Sequence, residues 1–484
     1  MTALIARLDD WSDRLSPILV KEIRQMVRGR DFNYSFGISL LAGFFVAFFG
    51  LGFALTSIGE SGAWVFSALM VCLALLGLIV VPLGAFSTLR GERVDQTLDL
   101  ITQTTLTPRG IVLGKLMTQW VKLITLFAGL APFIAMSFLL GGIDLLTILI
   151  SLCVLFMWSM WVCSLCLFLS AASQARAMSA LIFIGMIIGF IGIVVTFVPL
   201  IARTGFLGMS RASMRELGWV LAGSTAVCFT SMTNLVLLAE NRLSLAIEDR
   251  STALRLGFFV QFLLFLACLT IPFLAGAVGY TASDMADGLG VVGGIHLAIT
   301  AAFAVTEDMS LSRRVFKRVR KSLKWPWLAI FRPGGGRGAA WILTQMAVLL
   351  VIGWNVATPV QFRWLLAICS YICFFSGIPT AVARRVFKGK CKTSYLRAGV
   401  LLFFPLLGVS ADILQYLFAP GRVFDGTFSA YHIINPLRAL PYWTEVEKEG
   451  WQWRPMIMGF VGLLAYLDLF RMGRREDKHA ANPG

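Results

Sequence analysis

The stretch "AWVFSALMVCLALLGLIVVPLGAFSTL" (63–89) contains no charged residue. A helix of that length crosses roughly 30 Å of membrane hydrocarbon. Similar apolar runs recur along all 484 residues, of which 58% are hydrophobic and 14% are charged, whereas soluble domains carry about 25% charge. Since the runs do not alternate apolar and polar residues, a β-barrel is disfavoured. The sequence predicts an all-α, polytopic helical membrane protein.

Twelve apolar runs are long enough to be predicted as membrane-spanning helices. The eighth run is the weakest, because it is short and rich in glycine. A core of six spans followed by a second region of six is the predicted architecture. The twelve predicted spans are 33–57, 63–89, 116–141, 145–170, 178–202, 217–240, 257–280, 288–305, 340–358, 362–383, 397–419 and 455–471.

The positions of lysine and arginine predict the orientation of these spans. If the N-terminus is cytoplasmic, most of the 42 basic residues fall in cytoplasmic segments, as is typical of membrane proteins. Both termini are then cytoplasmic, and a bacterial plasma (inner) membrane is the predicted location. This topology also explains the net charge of +16 without a nucleic-acid partner. Arg203, Arg211 and Arg215 are exceptions on the predicted outer side, where a short surface-lying or re-entrant helix would tolerate them.

The stretch "SPILVKEIRQMVRGRDF" (16–32) precedes the first predicted span. Ser16 is a suitable N-cap and Pro17 suits the first helical position. An amphipathic helix is predicted, either as an anchor near anionic lipid headgroups or as a lever that contacts a cytoplasmic partner. Its predicted apolar face comprises Leu19, Ile23, Met26 and Val27. Its charged residues include Lys21, Glu22, Arg24 and Arg28.

A polar segment, "RGERVDQTLDLITQTTLTPRGIVLGK" (90–115), separates the second and third predicted spans. The pattern predicts a short amphipathic helix from Asp95 to Thr105, with acidic residues at its start. Thr107 and Pro108 then predict the N-cap and first position of a new helix. Such a helix could transmit a push from a cytoplasmic protein into the membrane, or it could simply connect two spans.

The end of this segment, "GIVLGK", almost matches a phosphate-binding loop. That loop requires four residues between the first glycine and the Gly-Lys pair, followed by Ser or Thr. Gly110 and Gly114 are separated by three residues, and Leu116 follows Lys115. The sequence therefore predicts no nucleotide-binding site, no enzymatic activity and no cofactor. "RPGGGRG" (332–338) also lacks the motif and is predicted to be a flexible cytoplasmic loop.

Candidate metal ligands are scattered along the chain. Eight of the nine cysteines lie in apolar runs, and the C-x-x-C pair formed by Cys163 and Cys166 is interpreted as helix packing. The three histidines, His296, His432 and His479, are far apart in sequence. No metal site is predicted.

Two segments of the chain resemble the ABC-2 type transporter permeases, the membrane subunits of ABC exporters. That family tends to carry "NP-x-x-x-K-E-[LIF]-R-x-x-x-R" before its first span, which appears here as "SPILVKEIRQMVRGR" (16–30). It also tends to carry a "R-E-R-E-x-G-T-L-[DE]-L-L" pattern that continues to a Gly-Lys pair. In 90–115 this pattern is matched at Glu92, Thr97, Leu98, Asp99, Leu100, Pro108, Gly114 and Lys115, with departures at Gln96 and in the extra spacing before Pro108. "DRSTALR" (249–255) resembles a cytoplasmic segment of some relatives. The resemblance covers about residues 12–256.

The resemblance implies a connecting helix before the first span and a coupling helix that docks on a separate ATPase. Together with the apolar runs of the second half, it gives the predicted domains 1–31 (connecting helix), 32–256 (permease core with the coupling helix in the 90–115 loop), 257–471 (second membrane domain) and 472–484 (cytoplasmic tail). The residues assigned to ATPase coupling are Glu92, Thr97, Leu98, Asp99, Leu100, Pro108 and Lys115. The residues assigned to the connecting helix are Pro17, Lys21, Glu22, Arg24 and Arg28.

The leading functional hypothesis is a permease subunit of an ATP-driven ABC exporter. Its expected partners are a separate ATPase, membrane lipid, and a second copy of the chain or a second permease. One alternative is an ion-coupled secondary transporter, which usually places ionisable residues in mid-membrane; the few candidates are His296, Asp412 and Asp468. Another alternative is a membrane assembly protein without transport activity.

Overall fold

The computed structural model of the chain is helical, and the residues that it describes contain no strand. Ten helical segments in this part are long and apolar enough to cross a membrane, which confirms the predicted all-α polytopic class. The predicted spans 178–202 and 397–419 lie mainly outside the described residues, so the total of twelve stays a prediction. The described residues are 17–56, 61–94, 107–141, 143–173, 183–187, 189, 211–244, 249, 251–276, 280–308, 317, 330–387, 393, 395–397, 399–400 and 454–481.

The chain divides into two compact units, residues 1–244 and 245–484. The predicted boundary after residue 256 stays a prediction. The described helices of the first unit are α1 (Pro17–Arg28), α2 (Arg30–Thr56), α3 (Ser61–Leu75), α4 (Val81–Val94), α5 (Pro108–Leu139), α6 (Leu145–Ala172) and α7 (Arg211–Leu243). A π-helical turn, Leu76–Val80, joins α3 to α4.

The first unit buries an apolar core between α3, α4, α5 and α6. Leu73, Leu123 and Leu155 are fully buried there, while phenylalanines such as Phe48 on α2 stay exposed on the surface. That pattern suits a bundle whose surroundings are hydrocarbon, where helices associate through close packing and hydrogen bonds. One such bond links α6 to α4, because the Ser170 hydroxyl donates to the Phe86 carbonyl at 2.6 Å.

The first residues of α7 correct one sequence prediction. Arg211 and Arg215 were assigned to a separate surface-lying or re-entrant helix. The structure instead has one continuous helix, Arg211–Leu243, whose apolar part from Leu221 onward is long enough to span a membrane. The two arginines therefore belong to the first turns of the spanning helix, and the prediction was wrong for both.

The second unit contains five long helices among its described residues. Its last described helix, Arg454–Ala481, packs through glycines along the helix Pro359–Val386, and a methyl group added at Gly462 would lie 2.6 Å from the backbone of Cys373. Close approach of this kind is typical of membrane helix pairs. The Tyr466 hydroxyl also hydrogen-bonds the Ser376 hydroxyl at 2.6 Å. The five helices are α8 (Thr252–Leu274), α9 (Ala282–Ala304), α10 (Gly335–Val356), α11 (Pro359–Val386) and α12 (Arg454–Ala481).

Helix α9 begins earlier than its sequence predicts. The weak eighth span was predicted as 288–305, but the helix runs from Ala282 to Ala304. The earlier start has a local cause: Thr281 and Asp284 form a capping box, in which the Thr281 N–H donates to the Asp284 carboxylate at 2.8 Å. Such reciprocal bonds satisfy the first backbone donors of a helix. The resulting helix is long enough to span a membrane.

The glycine-rich stretch 332–338 is packed, so its prediction as a flexible loop was wrong. Gly334 precedes α10 with a φ of 123° that disfavours other residues. A methyl group at Gly336 would lie 2.7 Å from the Leu469 carbonyl oxygen, and one at Gly338 would overlap the Ala304 carbonyl. These glycines let the start of α10 approach α9 and α12 closely.

We expect Gly338→Ala to lower the free energy of unfolding by about 1–3 kcal/mol, because the added methyl forces backbone apart in a packed region. Gly37→Ala is the matched control, since nothing lies within 4 Å of the added atom. It removes a helical glycine from α2 without a clash and should be neutral or stabilising by about 0.5–1 kcal/mol. Thermal unfolding of the purified chain in detergent measures both. Equal stability of Gly338→Ala and wild type would contradict this packing.

Candidate functional site

The helix start predicted at Thr107 and Pro108 is confirmed. Thr107 has extended backbone, and its hydroxyl accepts a hydrogen bond from the Gly110 N–H at 3.1 Å. Pro108 occupies the first helical position of α5, where its missing N–H costs nothing. The predicted coupling helix before it lies at 95–105, outside the described residues. That segment includes Thr97, Leu98, Asp99 and Leu100.

One lysine joins the two segments that carry the family resemblance. Lys115 on α5 donates to Glu22 on α1 at 3.0 Å and to Glu92 on α4 at 2.8 Å. The Lys115 side chain is 3% exposed, and the two glutamates are 12% and 16% exposed. The structure therefore brings three predicted site residues into one ion cluster, which we call the Lys115 cluster.

The Lys115 cluster links both ends of the polar segment to the N-terminal helix. Glu92 lies just before residues 95–106, and Lys115 lies two turns into the helix that follows them. Because two carboxylates surround one ammonium, removing the ammonium would leave two buried negative charges side by side. Burial makes breaking such a pair strongly destabilising. A displacement of residues 95–106 would therefore act on α1, α4 and α5 together.

Helix α1 has one face toward this cluster and another toward solvent or headgroups. It begins at Pro17 as predicted. Lys21, Arg24 and Arg28 are exposed, whereas Glu22 points to Lys115. Of the predicted apolar face, Leu19, Ile23 and Met26 are partly buried and Val27 is 53% exposed. The helix is thus held to the bundle by an ion pair and leaves its basic side chains available.

The contacts of the Lys115 ammonium differ from those of the lysine in a phosphate-binding loop, which its sequence almost matches. In such a loop the lysine reaches the phosphates of the nucleotide. Here the Lys115 ammonium contacts two carboxylates instead, and these would repel a phosphate at that position. This contact supports the interpretation of "GIVLGK" as a helix start.

A second ion cluster, in the second unit, was not predicted from sequence. Arg255 at the start of α8 is 1% exposed and pairs with Glu307, which follows α9. The guanidinium also donates to the carbonyls of Ile330 at 2.8 Å, Arg332 at 2.6 Å and Gly334 at 2.9 Å. Glu307 in turn accepts from the Gly334 N–H at 3.0 Å. This Arg255 cluster fixes both ends of the basic segment 309–329.

Arg384 near the end of α11 reinforces the same region. It donates to the carbonyls of Thr306 at 3.0 Å and Glu307 at 2.9 Å, so it caps the turn after α9. Two sequence signals point to this cluster. Glu307 begins an acidic pair ahead of a basic run, and Arg255 is the last residue of "DRSTALR". Sequence gave no indication that the two residues meet.

Two of the three candidate residues for an ion-coupled transporter contact other side chains in the structure. His296 on α9 stacks on the ring of Phe262 at 5.7 Å between centroids. Asp468 pairs with Arg385, its oxygens lying 2.6 and 3.0 Å from the guanidinium nitrogens. Asp412 is outside the described residues. Of the two described candidates, Asp468 thus has a contacting cation and His296 packs against an aromatic ring.

The described cysteines form no disulfide, and Cys163 and Cys166 are both fully buried. Cys166 contacts the sulfur of Met186 at 3.5 Å. Within the described ranges no group of three or more His, Cys, Asp or Glu side chains is placed to hold a metal ion. The buried thiols fit between helices as small apolar groups.

The helices and their apolar surfaces define this chain as an integral membrane protein of the polytopic helical class. Comparison with protein-family models, with curated proteins and with solved structures finds no match. Its more specific function therefore has to be argued from the two ion clusters and the segments that they join.

Proposed function

We propose that the chain is the membrane-spanning permease subunit of an ATP-driven transporter of the ABC-2 type, an exporter coupled to a separate ATPase. The observation that carries this proposal is the Lys115 cluster. It joins Glu22, Glu92 and Lys115, which come from the two motif segments that resemble this family. Because ion pairs join the two motif segments, a displacement of one segment is transmitted to the other.

In this proposal the ATPase pushes on residues 95–106 from the cytoplasmic side. The push reaches α4 directly through the chain and α5 through the Thr107 cap. It reaches α1 through the Glu22 carboxylate on Lys115. Because the cluster is mostly buried, its three members move together more readily than they separate. The spans then tilt as a group between inward-facing and outward-facing arrangements, and the substrate route lies between two permease copies.

The alternative of an ion-coupled secondary transporter is less well supported. Such a transporter needs an ionisable group that gains and loses its ion in mid-membrane. Of the described candidates, Asp468 is paired with Arg385, and His296 lies against an aromatic ring. The two buried ion clusters lie instead at the predicted cytoplasmic ends of the helices. A non-transport assembly role remains the second alternative.

The test replaces both leucines of the predicted coupling helix by aspartate, Leu98→Asp with Leu100→Asp. The tagged chain is purified from its native membrane, and the co-purifying ATPase is identified by mass spectrometry. In nanodiscs, we expect the double variant to lose its stimulation of ATP hydrolysis by about tenfold or more, since charge on a docking face costs several kcal/mol. The variant should keep the thermal stability of the wild type, because both positions lie outside the predicted spans.

The matched control is Gln96→Asp with Gln103→Asp, which adds the same charge without removing a leucine. It should retain most of the stimulation. The proposal fails if no ATPase co-purifies with the wild-type chain, or if the leucine variant couples normally.

A further inference from the structure

The Cys-x-x-Cys pair of α6 has a third sulfur beside it. Cys163 and Cys166 are about one helical turn apart, so their side chains are neighbours on α6, and both are fully buried. The Cys166 thiol lies 3.5 Å from the thioether sulfur of Met186, which belongs to a separate helical segment. The two thiols also interact electrostatically with each other. Two cysteines and a methionine therefore meet in one place, a trio that we call the Cys163 cluster.

A cation lies next to the Cys163 cluster. The Lys122 ammonium on α5 interacts with the Cys163 thiol, so it would stabilise a thiolate there. Lys122 is 8% exposed, and it also interacts with the Asp31 carboxylate on α2. Asp31 is exposed at the start of its helix, where water and salt screen its charge. Lys122 thus places a positive charge between an exposed carboxylate and a buried pair of thiols.

The second unit contains the same three residue types without such a cation. Cys369 and Cys373 are about one turn apart on α11, and the Cys373 thiol lies 3.4 Å from the thioether sulfur of Met346 on α10. The two thiols interact with each other, and Tyr466 lies beside Cys373. In the part of the second unit that the structure describes, no ammonium or guanidinium acts on either thiol. This trio is therefore an internal comparison for the Cys163 cluster.

We propose that the Cys163 cluster binds a soft monovalent metal ion, Cu(I), through its two cysteine sulfurs and the Met186 thioether. Thiolate and thioether sulfurs are the ligands that select Cu(I) in proteins, and the thiolate rather than the thiol binds the metal. Binding therefore releases the two thiol protons to solvent, and no electron is transferred. The ion and two thiolates together carry one negative charge, which the Lys122 ammonium offsets. The trio in the second unit lacks that compensation, so it should bind Cu(I) more weakly.

The site uses residues that the coupling proposal leaves out, and it needs no ATPase. Its third ligand is a thioether, so it does not depend on a group of three His, Cys, Asp or Glu side chains. Without the ion, the protonated thiols pack between helices as small apolar groups. Zn²⁺ prefers four tetrahedral ligands from thiolate, imidazole and carboxylate groups, and two thiolates with one thioether suit it poorly. Cu(I) is therefore the ion that these ligands select.

The test measures Cu(I) binding to the purified chain in nanodiscs, without oxygen, by competition with a chromophoric Cu(I) chelator. We expect one tightly bound ion per chain, taken up slowly because the three sulfurs are buried, and weaker binding of Zn²⁺. X-ray absorption at the copper edge should show sulfur ligands only. The bound ion should also raise the temperature of thermal unfolding, because it binds the folded state.

The first variant removes both thiols. Cys163→Ser with Cys166→Ser should weaken binding by about a hundredfold or more, because a hydroxyl oxygen is a poor ligand for a soft ion. The variant should fold, since Ser159 and Ser164 on the same helix already donate to the carbonyl one turn back. It also measures the background binding of the remaining cysteines. The matched control is Cys369→Ser with Cys373→Ser in the second unit, which should retain the tight site.

Two further positions separate the third ligand and the cation from packing. Met186→Leu conserves side-chain volume, and it should weaken binding by about tenfold or more because one of three soft ligands is lost. Lys122→Met should weaken binding by about tenfold, as is typical of groups that surround a metal site. Lys122→Arg keeps the charge and should retain binding. Thermal unfolding without metal is measured for every variant, so that loss of the fold is distinguished from loss of the site.

Three results would overturn the proposal. The first is a wild-type chain that binds no more Cu(I) than the variant without Cys163 and Cys166. The second is a folded Met186→Leu chain with wild-type affinity. The third is an equal loss of tight binding in the control without Cys369 and Cys373. Retained Cu(I) binding in the Leu98 and Leu100 double variant would support the independence of this site from ATPase coupling.

Discussion

A chain carrying Lys115→Met is expected to unfold at a much lower temperature than wild type, with a loss of about 3–5 kcal/mol in stability. The reason is the pair of carboxylates, Glu22 and Glu92, that the ammonium holds at 3.0 and 2.8 Å in a mostly buried position. Without it they repel each other with little water to solvate them. Thermal unfolding in nanodiscs measures the effect. Any associated ATPase should also be poorly stimulated, because α1 is released.

Two further variants separate charge from packing in the Lys115 cluster. Lys115→Arg keeps a cation and should retain most of the stability, although its planar donors differ from those of lysine. The triple variant Glu22→Gln, Glu92→Gln, Lys115→Met removes all three charges and should recover most of the loss. If Lys115→Met were as stable as wild type, or the triple variant no better than the single one, the buried ion cluster would not be a determinant of stability.

Replacement of Arg255 by methionine is expected to have an effect of similar size in the second unit, about 3–5 kcal/mol of stability lost. The Arg255 guanidinium satisfies the Glu307 carboxylate and the carbonyls of Ile330, Arg332 and Gly334. Methionine fills much of the space but leaves these acceptors without their donor. Loss of thermal stability should be accompanied by faster proteolysis in 309–329, since the cluster holds both ends of that segment.

The control for this prediction is Arg385→Met on α11. Arg385 also pairs with a carboxylate, that of Asp468, at 2.6 and 3.0 Å, but its side chain is 67% exposed. Water replaces the lost partner there, so only a small change is expected. Similar losses for the two arginine variants would mean that burial does not set the importance of these pairs.

Local chemistry explains which helix features could be predicted from sequence. Pro17 and the Thr107–Pro108 pair were predicted correctly as helix starts, because caps depend on residues three or four positions apart. The sequence prediction placed the start of α9 six residues too late, because it relied on hydrophobicity and did not consider the Thr281–Asp284 capping box. The glycines at 334–338 were misread for a different reason: their role depends on contacts with Ala304 and Leu469, which are distant in sequence.

The sequence by itself determined the helical membrane class, because apolar runs with few charges have one favourable environment and helices satisfy their own backbone there. It also supplied Glu22, Glu92 and Lys115 as members of two motifs. Only the tertiary structure decided that they touch: Lys115 and Glu22 are 93 positions apart, and Arg255 and Gly334 are 79 apart. Ion pairs at such separations depend on how the helices pack, which no local pattern specifies.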